Sequence, residues 1–209
     1  MFSHKINHGH NLKFSEKFLN QTAKIASMLD PGQFEDIAES LADLKSRKGR
    51  LFFIGSGGGA GHASHAVNDF RKIANIEAYT PTDNVSELTA RINDDGWETS
   101  YLNNLKASRF SSNDALFVFS VGGGSKEKNI SMNLVKCMEY AKEIGAPIMG
   151  VVGKDGGYAL EASKLVIVIP TIEDSMITPH TEGWQAVVWH GIVSHPKVLE
   201  NQMKWESTK

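Results

Sequence analysis

Residues 115–125 read ALFVFSVGGGS, an apolar run that passes directly into a loop of glycine and serine. An apolar run without polar alternation is typical of a strand that is buried on both faces. The stretch LFFIGSGGGAG at residues 51–61 repeats this order of strand pattern and glycine loop. Two such units predict strands of a parallel sheet, whose ligands bind at the carboxyl edge of the strands.

The rest of the chain alternates between strand-like and helix-like patterns. Two amphipathic helices come first, one over residues 11–29 and one that begins at Pro31, is capped by Asp30 and ends at Gly49. The alternation predicts an α/β protein of three α-β-α layers around a central parallel five-stranded sheet of flavodoxin-like or Rossmann-like type. The predicted strands cover 51–54, 77–80, 115–120, 148–152 and 165–169, and the helices between and after them cover 60–73, 85–92, 97–106, 127–144 and 179–193.

Composition and charge narrow the range of functions. The 209 residues carry 22 basic and 24 acidic side chains, so nothing points to a nucleic-acid partner. No apolar run approaches the roughly 20 residues of a membrane helix, and we expect no membrane partner. Cys137 is the only cysteine, which excludes an internal disulfide and fits a cytoplasmic protein. We expect a flexible tail over residues 1–10 and one domain over residues 11–209.

Both glycine loops are predicted to bind phosphate. Glycine lets backbone N–H groups approach an anion, and a helix that follows the loop adds unpaired donors and a partial positive charge. Neither loop continues into Gly-Lys-Ser/Thr, so neither is a nucleotide P-loop. A plain tight turn is the alternative, and two loops of one type favour phosphate. The candidate phosphate contacts are Ser56, Gly57 and Gly58 in the first loop, and Ser120, Gly122 and Ser125 in the second.

Two helices carry titratable side chains at helical spacing. His65 and Asp69 are four residues apart on one helix face, where they could bind a metal or transfer a proton. A surface salt bridge is the alternative. Glu182 and His190 are separated by roughly 12 Å along an unbroken helix, too far to share one metal easily. Either the helix begins after Glu182 or the two serve sites shared between subunits, and His190 has a second interpretation as a buried core histidine beside Trp189.

In this order the motifs resemble those of the phosphoheptose isomerases of the sugar isomerase (SIS) domain superfamily. The matching segments are the first loop with His65 and Asp69, residues 93–97 (NDDGW), the second loop, residues 153–157 (GKDGG) and the helix with Glu182 and His190. The resemblance spans about residue 12 to about residue 195. It implies a SIS domain that converts sedoheptulose 7-phosphate into D-glycero-D-manno-heptose 7-phosphate through an enediol, in heptose synthesis for surface polysaccharides.

The resemblance also implies a cytoplasmic homotetramer with active sites at subunit interfaces, and Zn²⁺ as a cofactor. Asp69 and His190 would be the acid and base, in either assignment. Ser120 and Ser125 would hold the phosphate together with the backbone of the first loop. Asp94 would lie beside the sugar. The positions of the family's metal site and its substrate contacts fall here on His65, Asp69, Glu182 and His190.

The chain departs from the family pattern at three points. Asp69 stands in place of a glutamate, Glu182 in place of a glutamine, and Gly122 and Gly123 in place of serine or threonine. A charged oxygen is a better zinc ligand than an amide, so Glu182 favours a metal. Two alternatives remain open: an isomerase of another sugar phosphate, and a non-catalytic SIS protein that binds a sugar phosphate or a protein partner.

Overall fold

The computed structural model describes residues 12–204, so the tail predicted over residues 1–10 lies outside the described residues. A five-stranded sheet forms the centre, with every pair of neighbouring strands parallel and the strand order β2-β1-β3-β4-β5. This confirms the predicted fold class. The strands are β1 (Leu51–Gly55), β2 (Ala78–Tyr79), β3 (Ala115–Ser120), β4 (Ile148–Val152) and β5 (Val166–Val168).

Helices cover both faces of the sheet. Apolar side chains of α2, α3 and α8 form the core on one face, and those of α5, α6 and α7 form the core on the other. No helix within residues 12–204 is long and apolar enough to span a membrane. The helices are α1 (Phe14–Met28), α2 (Pro31–Ser46), α3 (Gly58–Lys72), α4 (Val85–Asp95), α5 (Trp97–Ala107), α6 (Met132–Glu143), α7 (Gly157–Ala162) and α8 (Ile177–Val193).

Two helix starts show how far local chemistry decides these boundaries. The carboxylate of Asp30 accepts a hydrogen bond from the Gly32 N–H at 2.8 Å, which confirms the predicted cap of α2. The helix predicted over 127–144 is wrong at its start, because α6 begins only at Met132. Ser125 and Ile130 instead form an antiparallel bridge with N–H···O distances of 3.0 and 2.9 Å. The second glycine loop therefore does not run directly into a helix.

Candidate functional site

Packing of α3 against α8 brings three titratable side chains together. His65 and Asp69 project from α3 and His190 from α8, and one ligand atom of each lies within 4.8 Å of the other two. The Nε2 atoms of both histidines are 3.9 Å from Asp69 Oδ2. The side chains of His65 and His190 are 58% and 48% exposed, while that of Asp69 is 14% exposed. This His–Asp–His cluster is therefore open to a ligand from solvent.

Neighbouring groups fix the orientation of the cluster. His190 Nδ1 lies 2.7 Å from the backbone carbonyl oxygen of Ala186, which can only accept, so Nδ1 donates there and Nε2 is the ring nitrogen that faces Asp69. The buried Trp189 ring stacks on His190 at 3.5 Å and meets His65 edge-on at 4.8 Å. Asn68 donates to Asp69 Oδ1 at 2.8 Å, which leaves Oδ2 facing the histidines. Because the His190 side chain is 48% exposed, its interpretation as a buried core residue is wrong.

The donor set fits a divalent transition metal. Two imidazole nitrogens and one carboxylate oxygen are a common set of protein ligands in catalytic zinc sites, where a further position stays open for water or substrate. The hydrogen bond that fixes the His190 tautomer is the kind of outer support that such ligands have.

Glu182, the fourth predicted ligand, lies elsewhere in the groove between α3 and α8, at the start of α3. Helix α8 is unbroken from Ile177 to Val193, so the alternative in which it begins after Glu182 is wrong. The Glu182 carboxylate covers the first residue of α3, because a Cβ atom built on Gly58 would lie 2.5 Å from the Glu182 carboxyl carbon. The cluster of possible metal ligands among residues 12–204 does not include it. The carboxylate instead lies at the positive end of the α3 dipole.

A further histidine was given no role from the sequence. His62 lies on α3 between Gly58 and His65, one helical turn from each, so Gly58, His62, His65 and Asp69 follow one helix face. The side chain is half-buried, and its ring centroid lies 6.0 Å from that of Phe119. Burial lowers the pKa of His62, and the charge and backbone of Glu182 oppose that shift. The spacing of three and four residues along α3 was the signal in the sequence that could have identified His62.

The first glycine loop, residues 55–61, leads straight into α3. Gly57 has a left-handed φ of 58°, and the α3 N-terminus has no side-chain cap among the described contacts. Ser56 is partly exposed at this turn, and its Oγ accepts a hydrogen bond from Asn133 Nδ2 at 3.1 Å. The N–H groups of Gly59 and Ala60 already donate to the carbonyl oxygens of Ser56 and Gly57 at 3.1 and 3.0 Å. Among the described contacts, the N–H groups of Gly57 and Gly58 therefore remain for an anion, with the Glu182 carboxylate against Gly58.

In the second glycine loop, residues 120–125, most polar groups already form hydrogen bonds within the protein. Ser120 Oγ accepts from the Gly123 N–H at 3.0 Å, and Ser125 Oγ accepts from the Lys128 N–H at 3.2 Å. The carbonyl oxygens of Gly123 and Gly124 accept from the first turn of α7 at 3.0 and 2.9 Å. Gly123 must be glycine, because its φ is 70° and a Cβ there would lie 1.9 Å from a backbone oxygen.

A cavity of about 530 Å³ opens beside this loop. Gly122 and Ser125, two of the predicted phosphate contacts, line it together with Lys128 and Lys154. Three carboxylates share the lining, which offsets the positive charge of the lysines; they belong to Glu127, Asp155 and Glu161.

The start of α6 offers a second set of donors that sequence reasoning missed. Ser131 precedes the helix in a left-handed conformation, with φ 52°, and makes no capping hydrogen bond with its side chain. Asn133, in the first turn, is fully buried, and its Oδ1 has no partner among the described residues. Because Asn133 also contacts Ser56, the α6 N-terminus lies against the first glycine loop. A serine ahead of an apolar helical pattern was the available signal.

Asp94 is not joined to this site within one chain. It is exposed near the end of α4, where its Oδ1 accepts from Asn93 at 2.8 Å. No hydrogen bond or ion pair links it to the cluster among residues 12–204.

Comparison with known proteins identifies a family and several relatives of this chain. The model of the SIS domain family matches residues 16–153. A lincomycin biosynthesis protein of Streptomyces lincolnensis, LmbN, is 29% identical over 184 residues, which cover 85% of this chain and 66% of that protein. A phosphoheptose isomerase of Helicobacter pylori is 28% identical over 155 residues, 72% of this chain and 75% of the relative. The solved phosphoheptose isomerase of Neisseria gonorrhoeae has the same fold, with a TM-score of 0.73, 19% identity and coverage of 85% of this chain and 94% of that chain.

Proposed function

Because the chain belongs to the SIS domain family, we propose that it is an aldose–ketose isomerase of sugar phosphates whose substrate is sedoheptulose 7-phosphate. The observation that carries the proposal is the exposed His–Asp–His cluster between α3 and α8, where α3 directly follows a glycine-rich loop of phosphate-binding type. The name of the Helicobacter pylori relative supports the same reaction class. The product would be D-glycero-D-manno-heptose 7-phosphate, for heptose synthesis in the cytoplasm.

The reaction moves a proton between adjacent carbons, which needs a base, an acid and stabilisation of a developing oxyanion. A zinc ion held by His65, Asp69 and His190 would supply that stabilisation by polarising the sugar oxygens. Asp69 and His190 are also the candidates for proton transfer. Both roles use the same atoms, Oδ2 and Nε2, so neither residue can be a metal ligand and a free base in one step.

The phosphate would be held by the first glycine loop and the adjoining start of α6. The hydrogen bond from Asn133 to Ser56 supports this proposal, because it brings the start of α6, which Ser131 precedes, against the first loop. Ser120, Gly122 and Ser125 would border it from the second loop. Gly58 and His65 are separated by roughly 10 Å along α3, so several sugar carbons must lie between the phosphate and the reacting carbons.

A homotetramer would complete the site from neighbouring subunits. Helix α1 has three exposed large apolar side chains, which supports its burial in an assembly. A neighbouring chain could bring Asp94 to the exposed cluster. The exposed residues on α1 are Phe14, Leu19 and Met28.

The direct test is proton exchange. The protein would be incubated with sedoheptulose 7-phosphate in deuterated water, and NMR would follow deuterium at the carbon beside the carbonyl and the appearance of the aldose. Ketose phosphates of five and six carbons form the comparison panel, and elemental analysis gives the metal content. We expect exchange fastest with the seven-carbon sugar and lost on chelation. Absence of exchange with every sugar in the panel would contradict the isomerase proposal.

A further inference from the structure

The groove between α3 and α8 has two chemically different ends. At one end the Glu182 carboxylate covers Gly58, and at the other the His–Asp–His cluster gathers around Asp69 Oδ2. The two helices run in the same direction, because contacts pair the early residues of each and the later residues of each. His62 lies between these ends on the same face of α3. This placement puts one further imidazole beside any sugar that reaches from the loop to the cluster.

The surroundings of His62 favour a neutral ring. Its side chain is half-buried and near Phe119, and burial lowers its pKa. The charged or titratable groups that act on it are Glu182, His65 and His190. Two of these belong to the cluster and carry no negative charge. The Glu182 carboxylate lies against Gly58, one turn before His62 on the same face of α3, so Glu182 is the group placed to stabilise a proton on His62.

Building on the proposed isomerase function, we infer that His62 is the catalytic base and that Glu182 stabilises the imidazolium it forms. The assignment removes the conflict between ligand and base, because Asp69 and His190 can then remain metal ligands throughout. It also gives a role to the carboxylate at position 182. An amide there, as in the family pattern that the chain resembles, would be neutral and could not balance an imidazolium charge.

The step is balanced without any further reactant. The neutral imidazole takes a proton from C1 of the ketose, the C–H electron pair forms the C1=C2 double bond, and the carbonyl electron pair moves onto O2. The proton on O1 then passes to O2. Finally the O1 electron pair re-forms a carbonyl at C1, the double-bond pair attacks the imidazolium proton at C2, and His62 returns to its neutral form. Glu182 exchanges no proton in this step and acts only through its electrostatic field at the ring.

The test uses His62→Gln, Glu182→Gln and the matched control His195→Gln. His195 is a suitable control because it pairs with another glutamate, Glu35, at 3.2 Å and lies outside the groove. We expect His62→Gln to slow deuterium exchange and turnover by about 100-fold to 10,000-fold with metal content unchanged. Glu182→Gln should slow exchange by a smaller factor, and His195→Gln should match the parent.

A second variant guards against a folding defect. In His62→Ala, added imidazole should restore part of the lost exchange, which a purely structural role would not allow. Exchange by His62→Gln within threefold of the parent would overturn the assignment while leaving the isomerase proposal intact. Absence of exchange by the parent itself would overturn both.

Discussion

Two aspartates in this chain show opposite uses of a carboxylate. Asp114 precedes β3 at the amino edge of the sheet, is 2% exposed and accepts from the Arg50 side chain at 2.8 and 3.0 Å. It also accepts from the backbone N–H groups of Arg50 and Ser111 at 3.0 and 2.9 Å. Asp69 on α3 accepts one short hydrogen bond, from Asn68, and its Oδ2 faces two histidines at 3.9 Å.

The difference in hydrogen bonding suggests that Asp114 stabilises the fold, whereas Asp69 is available for binding or catalysis. A carboxylate whose lone pairs are all used can only hold the fold together, and its loss leaves a cationic partner without its anion. A carboxylate with one oxygen unused, beside two histidines, retains the capacity to bind a metal or a proton.

The largest effect is expected from Asp69→Asn. The substitution keeps the shape of the side chain but removes the charge that joins the two histidines, so turnover should fall at least about 100-fold. The free energy of unfolding should change by less than about 1 kcal/mol, because the surrounding contacts are weak. Proton exchange and urea denaturation measure the two quantities. Turnover within a few-fold of the parent would remove Asp69 from the site.

Asp114→Ala should show the reverse behaviour. It leaves the partly buried Arg50 guanidinium without its anion and removes a buried carboxylate that accepts several hydrogen bonds, so the free energy of unfolding should fall by about 3 kcal/mol. Turnover per folded molecule should match the parent, since Asp114 lies at the opposite sheet edge from the groove. Urea denaturation provides the measurement. A loss below about 1 kcal/mol would show that this pair contributes no more than an exposed ion pair.

The same interaction predicts a pH dependence. Burial alone would raise the pKa of Asp114, but hydrogen bonds from Arg50 and Ser111 lower it below its usual value. Because the pKa of Asp114 is lower in the folded protein, its ionisation stabilises the fold at a pH above the unfolded-state pKa of about 4. This stabilisation is lost as the pH falls through the folded-state pKa. The stability difference between the parent and Asp114→Ala should therefore narrow below about pH 4, as measured by urea denaturation at each pH. A constant difference down to pH 2 would contradict this account.

The strands, and the His65–Asp69 pair of the site, could be predicted from local sequence. Buried strands such as Ala115–Ser120 are set by apolar runs, and the prediction for this strand matches the structure at both ends. His65 and Asp69 were identified as a pair because helical spacing alone places them on one face. Their meeting with His190 depends on how α3 packs against α8, which no local pattern encodes.

Long-range contacts also explain the error at the start of α6. Residues 127–131 contain helix-compatible side chains, yet Lys126 pairs with Glu139 at 2.5 Å and lies 5.3 Å from the Tyr158 ring. These contacts hold a turn in which Asn129 and Ser131 are left-handed. The predicted phosphate contact Ser125 thus stands six residues before Ser131, and only Ser131 adjoins the helix.

The smallest predicted effect distinguishes these two serines. Ser131→Ala removes a hydroxyl beside the α6 N-terminus, and the loss of one hydrogen bond to a charged phosphate is worth about 1.5–3 kcal/mol, or roughly 10-fold to 100-fold in KM. Ser125→Ala should raise KM less, because Ser125 Oγ already accepts from Lys128 and lies on the cavity beside α7. Neither change should alter kcat by more than a few-fold. A larger KM effect from Ser125→Ala would place the phosphate in that cavity, against the second loop, and would leave the α6 N-terminus with a structural role only.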